Sequence, residues 1–280
     1  MDKSLRKYFP LFVGPTLIAF LIAFAVPFLM GICLSFARFT TVTDARWVGF
    51  DNYVRAFSNR DFLNALRFSA GFTVVSVLII NVAAFALALL LTRGFRGTNV
   101  FRTMIFMPNL IGGIVLGYIW QFIINGFLSL FGVTITVDPK YGFWGLIILS
   151  DWQFIGYMMI IYIAGIQNIS GDILEAARID GANGFTVLRK ITIPLVMPSI
   201  TIALFMTITN SFKMFDQNLA LTAGLPGKET AGVALDIYNT FYSRAGWEGV
   251  GQAKALMFFL LVVLISLVQL SITRKREVVS

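Results

Sequence analysis

The sequence predicts an all-α membrane protein with six transmembrane helices, because its composition and the grouping of its apolar residues both require a lipid environment. Of the 280 residues, 58% are hydrophobic and only 13% are charged, whereas a soluble domain has about 25% charged residues. The mean hydropathy is +0.81. So little charge cannot cover a water-facing surface, which excludes a soluble enzyme, a disordered chain, a secreted disulfide scaffold and a nucleic-acid-binding protein.

Six apolar segments are each long enough to span a bilayer, which takes roughly 20 residues of helix. They lack the period-two alternation expected of an outer-membrane barrel, and together with their connections they form a single transmembrane domain over residues 1–280. The predicted spans are residues 11–37, 68–92, 103–125, 143–166, 194–216 and 255–272.

The apolar stretch of the first span is too long for a signal peptide, so a retained helix is expected there.

Prolines and glycines modify two of the other spans, the third and the fifth. Pro108 lies inside the third span and predicts a kink beside a cavity, while Pro194 opens the fifth span. Gly112, Gly113 and Gly117 form a small-residue face that allows another helix or a ligand to approach closely.

The distribution of Lys and Arg predicts the orientation. The 55 residues of segments 1–10, 93–102, 167–193 and 273–280 hold twelve of the 22 basic side chains. By the positive-inside rule these segments, and both termini, are cytoplasmic. The net charge of +8 is therefore a topology signal. The opposite side includes the aromatic-rich loop 38–67, which fits an interfacial helix or a docking surface for an external partner.

The longest cytoplasmic connection, residues 167–193, predicts a short helix on the inner face of the membrane. Ser170 is a suitable N-cap and Asp172 lies in the first turn, where the helix dipole favours a negative charge. Gly181 is expected to end the helix near residue 180. With Ala176 and Ala177 exposed for close contact, this helix would be a docking element, and the alternative is a solvated connector.

This connection also carries a motif. Glu175-Ala176-Ala177 is followed by Gly181 and by Ile191-Thr192-Ile193-Pro194. The spacing resembles the EAA motif of permease subunits of bacterial ABC importers, although that family usually has Leu at the position of Ile193. Three other segments resemble the sugar-type permeases that pair with a second, different permease, with Leu225 standing where Gly is more usual: residues 49–53, 212–216 and 222–226.

The resemblance implies a type I ABC importer in the bacterial cytoplasmic membrane. Its expected partners are a second sugar permease, two ATP-binding subunits and an extracytoplasmic solute-binding protein, besides membrane lipid, and nucleic acid is not expected. Gly227-Lys228 is followed by Glu229 and not by Ser or Thr, so the chain has no Walker A motif. No cofactor is expected in this chain, because ATP and Mg²⁺ would be bound by the ATPase partners and the chain would not be an enzyme.

The resemblance also implies roles for residues of the coupling loop. Glu175 would pair with a basic group of the ATPase, while the small residues Ala176, Ala177 and Gly181 would permit close packing. Asp180 and Ala182 belong to the carbohydrate-importer version of the motif. ATP-driven closure of the ATPase pair would then move this helix and tilt the spans.

Polar stripes inside two spans suggest where a substrate binds. Ser150, Gln153, Phe154 and Tyr157 share one helical face, and Thr207, Asn210, Ser211 and Met214 repeat the same i, i+3, i+4, i+7 spacing. Hydroxyls and amides can bond sugar hydroxyl groups, and an aromatic ring can pack on the C–H face of a sugar. The alternative interpretation is that the same polar side chains form hydrogen bonds between helices.

In the resemblance to maltose-type permeases, Tyr157 coincides with an aromatic sugar contact. Ser150, Gln153, Phe154, Thr207, Ser211 and Met214 fall at contact positions of different residue type, and Gly112 falls where the relative has a hydroxyl. The resemblance alone implies an oligosaccharide as the substrate, and a monosaccharide, a polyol or glycerol phosphate are the alternatives.

The sequence gives weaker support to two other functional classes, a secondary transporter and an integral membrane enzyme. A secondary transporter needs ionisable groups near the midplane, and Asp151, Lys213 and Asp216 are the ones that come close. Lys213 and Asp216 lie three residues apart, which favours a mutual ion pair on one helix. An integral membrane enzyme needs clustered acids or a nucleophile with a base, and the sequence contains no His and one Cys.

Overall fold

The computed structural model describes the backbone of residues 3–277 and the side chains of residues 11–277. Its long helices are α1 (Lys3–Phe20), α2 (Val26–Leu34), α4 (Arg60–Leu91), α5 (Thr98–Phe106), α6 (Gly113–Ser129), α7 (Pro139–Gln167), α8 (Gly171–Ile179), α11 (Met197–Phe212), α13 (Val233–Tyr242) and α14 (Glu248–Arg274). Shorter elements are strands β1 (Ala37–Arg38) and β2 (Arg46–Trp47) and helices α3 (Asp51–Phe57), α9 (Gly184–Val187), α10 (Ile193–Leu195) and α12 (Asp216–Leu221).

The prediction of six spans agrees with these helices once two of the spans are recognised as bent. Four segments can cross a membrane without a sharp break: Leu11–Leu34, Arg60–Leu91, Pro139–Gln167 and Glu248–Arg274. Two further helix pairs are long and apolar enough when each pair is counted as one span. The first of the four includes a π-helical stretch, Leu21–Ala25, between α1 and α2.

The third predicted span, 103–125, is broken and not merely kinked. The segments Thr98–Leu110 and Gly113–Ser129 meet at 99°. A 3₁₀ turn, Met107–Leu110, contains Pro108, and Gly112 then has extended backbone with φ −60° and ψ 141°. Pro108 has no N–H to give to the preceding turn, which ends α5 at this level, and the chain starts a new helix in a different direction.

The fifth predicted span, 194–216, is also corrected by the structure. Helical backbone begins earlier, at Gly184, and bends by 69° before Met197. At the other end α11 stops at Phe212, and Asp216 starts the separate helix α12. Lys213 and Asp216 are therefore not one turn apart on a single helix, so the premise of their predicted ion pair was wrong.

Among the described residues, 3–62 and 237–259 form one compact unit. The buried Asn52 anchors its hairpin, because Asn52 Nδ2 donates to the carbonyls of Ser35 and Ala37 at 2.9 and 2.8 Å. Antiparallel pairing aligns Ala37 with Trp47. Lys254 is fully buried and donates to Thr240 Oγ1 at 2.7 Å. The predicted amphipathic loop 38–67 contains the hairpin except for its first residue, Ala37, together with helix α3 and the start of α4.

Residues 63–236 and 260–277 form the second unit. One apolar cluster joins α4, α7 and α11 through residues such as Ile80, Met158, Tyr162 and Ala203. A second cluster surrounds Phe72 and includes Ile135, Leu146, Leu149, Met214 and Leu221. Asp138 caps α7 by accepting from the Lys140 N–H at 2.8 Å, with Pro139 in the first turn. These contacts fix α7 as the central helix of this unit.

Two of the three glycines predicted to allow close approach do so. A Cβ atom on Gly113 would lie 2.8 Å from Asp216 Cβ, and one on Gly117 would lie 2.5 Å from Ala220 Cβ. Helix α12 therefore packs directly on the backbone of α6. A Cβ atom on Gly112 would meet no described atom within 4 Å, so Gly112 serves the break between helices and not this contact.

The packing of α12 on α6 predicts a large difference between two glycine substitutions on α6. Gly117→Ala should lower the thermal midpoint of the detergent-solubilised protein, because overpacking costs about 1–3 kcal/mol. Gly126→Ala is the matched control, since its Cβ atom meets no described atom within 4 Å. It should leave the midpoint unchanged or raise it through better helix propensity. Equal midpoints for the two variants would contradict the close packing.

Candidate functional site

A cavity of about 250 Å³ lies inside the second unit, residues 63–236 and 260–277. Its walls come from α4, α7, the end of α11 and the start of α12. Five of its lining residues were predicted as substrate contacts from the two polar stripes: Ser150, Phe154, Asn210, Ser211 and Met214. The structure thus brings together residues about 60 positions apart, and Ser150 Oγ donates to Met214 Sδ at 3.5 Å.

The cavity also has lining residues that sequence reasoning did not assign to a site: Phe72, Lys213, Phe215, Asp216 and Gln217. Phe72 lies on α4, whose apolar sequence gives no signal for a lining position. Lys213 and Asp216 were recognised as unusual charges near a membrane span but interpreted as a pair. The end of α11 at Phe212 is the feature that places both of them at the cavity.

Three predicted substrate contacts are not part of this cavity lining. Thr207 is buried, donates to the Ala203 carbonyl and accepts from Asn81 Nδ2 at 3.0 Å. Tyr157 is half-buried and packs on Phe106, with ring centroids 6.3 Å apart. Gly112 lies in the break between α5 and α6. Their assignment to substrate binding stays a prediction.

The ninth predicted contact, Gln153, holds the broken span in place. Gln153 Nε2 donates to the Ile111 carbonyl at 3.1 Å. Ile111 lies at the break between α5 and α6. Gln217 Nε2 in turn donates to Gln153 Oε1 at 2.8 Å. Within a bilayer, freed backbone carbonyls need such partners. Gln153 therefore connects the break, α7 and α12, and Gln217 extends this chain of bonds to the cavity wall.

The loop between α7 and α11 contains the predicted short helix. Helix α8 spans Gly171–Ile179, and Gly181 follows with a left-handed φ of +76°. Ala182 N–H donates to the Ala177 carbonyl and Gly181 N–H to the Arg178 carbonyl, at 3.0 and 3.1 Å. These two bonds are a Schellman motif, which explains why Gly is needed at 181.

The exposed face of α8 differs in one residue from the prediction. Glu175, Ala176, Asp180 and Gly181 are exposed and Ala182 is partly exposed. Ala177 was expected to be exposed, but it is buried, with 8% of its surface exposed, and its carbonyl accepts from the Ala182 N–H of the following turn. Ile179 is 86% exposed and Phe185, beyond the turn, is 70% exposed. An exposed apolar side chain, Ile179, therefore lies one helical turn from Glu175.

Comparison with protein families identifies the chain's relatives. Residues 80–278 match the family "Binding-protein-dependent transport system inner membrane component". The chain belongs to this family of ABC transport permeases. It is thus a transport subunit embedded in the inner membrane by several helices, as expected from the sequence.

Two relatives align over almost their whole length. The "Probable starch degradation products transport system permease protein" of Thermoanaerobacterium thermosulfurigenes is 42% identical over 284 residues, covering 96% of this chain and 94% of the relative. The "Trehalose/maltose transport system permease protein" of Thermococcus litoralis is 28% identical over 278 residues, covering 95% and 94%.

The fold is shared with a solved transporter. A subunit of the bacterial alginate ABC transporter, solved in complex with an alginate pentasaccharide-bound periplasmic protein, superposes with a TM-score of 0.82 at 22% identity. The match covers 98% of this chain and 96% of that one. The predicted fold class, an ABC importer permease of type I, is confirmed.

The bonds of Gln153 generate a stability prediction. Gln153→Leu keeps the size of the side chain but leaves the Ile111 carbonyl and the Gln217 amide without this partner. We expect a loss of about 1–3 kcal/mol, the cost of an unsatisfied buried polar group, measured as a lower thermal midpoint in detergent. Gln167→Leu, at the exposed end of the same helix, should have little effect, and equal effects would refute the bridging role of Gln153.

Proposed function

We propose that the chain is the transmembrane subunit of an ATP-driven importer for oligosaccharides, and that the cavity between α4, α7, α11 and α12 is its part of the translocation pathway. The observation that carries the proposal is the lining of that cavity. Ser150, Asn210 and Ser211 offer hydroxyl and amide groups, and Phe154 offers a ring. This combination suits a polyhydroxylated ring with apolar C–H faces.

The relatives support an oligosaccharide as the substrate. The similar protein from T. thermosulfurigenes is named for starch degradation products, and the one from T. litoralis for trehalose and maltose. Maltooligosaccharides are therefore the first substrates to test. Polyols and glycerol phosphate are the second candidate class, because the neighbouring Lys213 could hold a phosphate group.

A second, different permease is the proposed partner within the membrane. The most apolar stretch of the first span, within Leu11–Leu34, has no buried residue in the described part of the chain. Such a surface needs lipid or another protein to cover it. Pairing with a second permease would cover part of it and complete the walls of a pathway to which this chain contributes only one side.

Two ATP-binding subunits are the proposed cytoplasmic partners, and they would bind and hydrolyse ATP with Mg²⁺. Helix α8 presents Glu175 as a charged contact one turn from the exposed Ile179, and Phe185, beyond the turn, is also exposed. The rigid Schellman turn at Gly181 links α8 to the helical segment that leads into α11. A movement of α8 would then be transmitted to the end of α11, where the cavity lies.

An extracytoplasmic solute-binding protein is the proposed source of the substrate, and both termini of the chain are proposed to be cytoplasmic. This orientation places α8 on the ATPase side by the positive-inside rule. The loop that contains β1, β2 and α3 would then face the binding protein.

Reconstitution tests the substrate assignment. The chain, its partner permease, the ATPase and the binding protein are placed in lipid vesicles, and ATP hydrolysis is measured with maltooligosaccharides, polyols and glycerol phosphate. Stimulation by a maltooligosaccharide that needs the binding protein is the expected result. Stimulation by glycerol phosphate alone would move the substrate to the second class, and no stimulation by any sugar would defeat the oligosaccharide proposal.

Charge reversal at Glu175 tests the coupling role of α8. Glu175→Lys should lower sugar-stimulated ATP hydrolysis and uptake by roughly tenfold or more, because it replaces one partner of an interfacial charge pair. The variant should still insert into the membrane, since Glu175 is exposed. Glu229→Lys, in an exposed loop distant in sequence from α8, is the control. Native uptake by Glu175→Lys would exclude the coupling assignment.

A further inference from the structure

Lys213 and Asp216 are the two charged side chains among the residues that line the cavity. Both are exposed, although their neighbours Phe212, Met214 and Gln217 are buried. Among the described residues neither takes part in a salt bridge. Charges within a membrane segment are costly unless a partner or water faces them, so this pair calls for an explanation other than mutual neutralisation.

The fold holds both residues at fixed points of the wall. Lys213 is the C-cap of α11, and its N–H donates to the Thr209 carbonyl at 3.2 Å. Asp216 opens α12 and is pressed against α6, since a Cβ atom on Gly113 would lie 2.8 Å from Asp216 Cβ. The break between the two helices thus places an ammonium group and a carboxylate at the same small space.

The size of that space limits what can lie between them. A volume of about 250 Å³ corresponds to roughly eight water molecules, which is room for one hexose ring with its hydroxyl groups. Phe72, Phe154 and Phe215 supply apolar surface around it. A longer saccharide would place one ring here and extend beyond this wall.

The charges suit an uncharged ring. A carboxylate accepts hydrogen bonds from two adjacent hydroxyls, an ammonium group donates to hydroxyl oxygens, and bonds to charged groups are stronger than neutral ones. The formal charge of the pair is zero. A uronate or phosphate would gain attraction from Lys213 but would be repelled by Asp216 at short range.

We propose that Lys213 and Asp216 contact the substrate, hold one neutral sugar ring of the oligosaccharide, and discriminate against rings that carry a carboxylate or phosphate. The proposal rests on the proposed function and deepens it, because it assigns selectivity to two residues of the same site. It also favours neutral saccharides over glycerol phosphate.

Binding measured without the binding protein isolates the selectivity of the permease. The complete membrane complex of both permeases and the ATPase is solubilised, and the affinity for maltotriose and for its C6-oxidised, uronate-containing counterpart is measured by saturation-transfer NMR titration. The wild-type complex should bind maltotriose and should prefer it to the acidic probe.

The two charge-removing variants should act in opposite directions on the ratio of the two affinities. Asp216→Asn should weaken maltotriose binding roughly tenfold, the loss expected for one charge-assisted hydrogen bond, and should strengthen binding of the acidic probe. Lys213→Gln should weaken the binding of both probes, and it should weaken the binding of the acidic probe more. The exposed Glu229→Gln and Lys140→Gln are the matched controls and should change neither affinity.

The other outcomes distinguish failure of the selectivity inference from failure of the proposed importer function. An unchanged affinity ratio in both variants, or equal losses for both probes, would reduce Lys213 and Asp216 to structural residues and refute the inference while the importer function stands. Failure of the wild-type complex to bind maltotriose, although a sugar stimulates ATP hydrolysis in vesicles, would also refute the inference and leave the importer function standing. The same failure with no stimulation by any sugar would refute the proposed function itself. Thermal midpoints of the variants show that the complexes remain folded.

Discussion

The need to pair backbone polar groups inside an apolar layer is the constraint on which the rest of this structure depends. Unbroken helices such as α4 and α7 satisfy their own backbones, so they tolerate nearly continuous apolar sequence. Pro108 interrupts this pairing in the third span, and Gln153 Nε2 pairs with the Ile111 carbonyl at the break. Because Gln153 also accepts from Gln217, the repair of one helix positions another, and α12 is fixed next to the cavity.

Close backbone approach is the second element of this arrangement. Helix α12 reaches Gln153 because Gly113 and Gly117 leave no side chains between α6 and α12. The same approach sets Asp216 against α6, whereas Lys213 belongs to the end of α11. The cavity is therefore a product of interrupted helices: its polar lining comes largely from the residues where α11 stops and α12 starts.

The coupling loop shows a similar dependence on local backbone geometry. The Schellman motif at Gly181 ends α8 and fixes the turn towards Asn183, whose side chain accepts from the Thr186 N–H at 2.8 Å and caps α9. Both ends of the turn are thus defined by hydrogen bonds over a few residues. A turn held in this way resists bending, which agrees with the proposed transmission of movement from α8 towards α11.

The sequence by itself determined the fold class, the six apolar segments, the helix before Gly181 and the family, because hydrophobic runs, a helix-ending glycine and the Glu175 motif are all local patterns. It also identified five cavity residues: helical periodicity places Ser150 and Phe154 on one face of α7, and Asn210 and Ser211 lie in the last turn of α11, just before Met214. Only the tertiary structure decided that α11 ends at Phe212, that Ala177 is buried, that Gln153 serves the break, and that Phe72, Lys213 and Asp216 share one cavity. These features depend on contacts between helices far apart in the chain, and no local spacing records them.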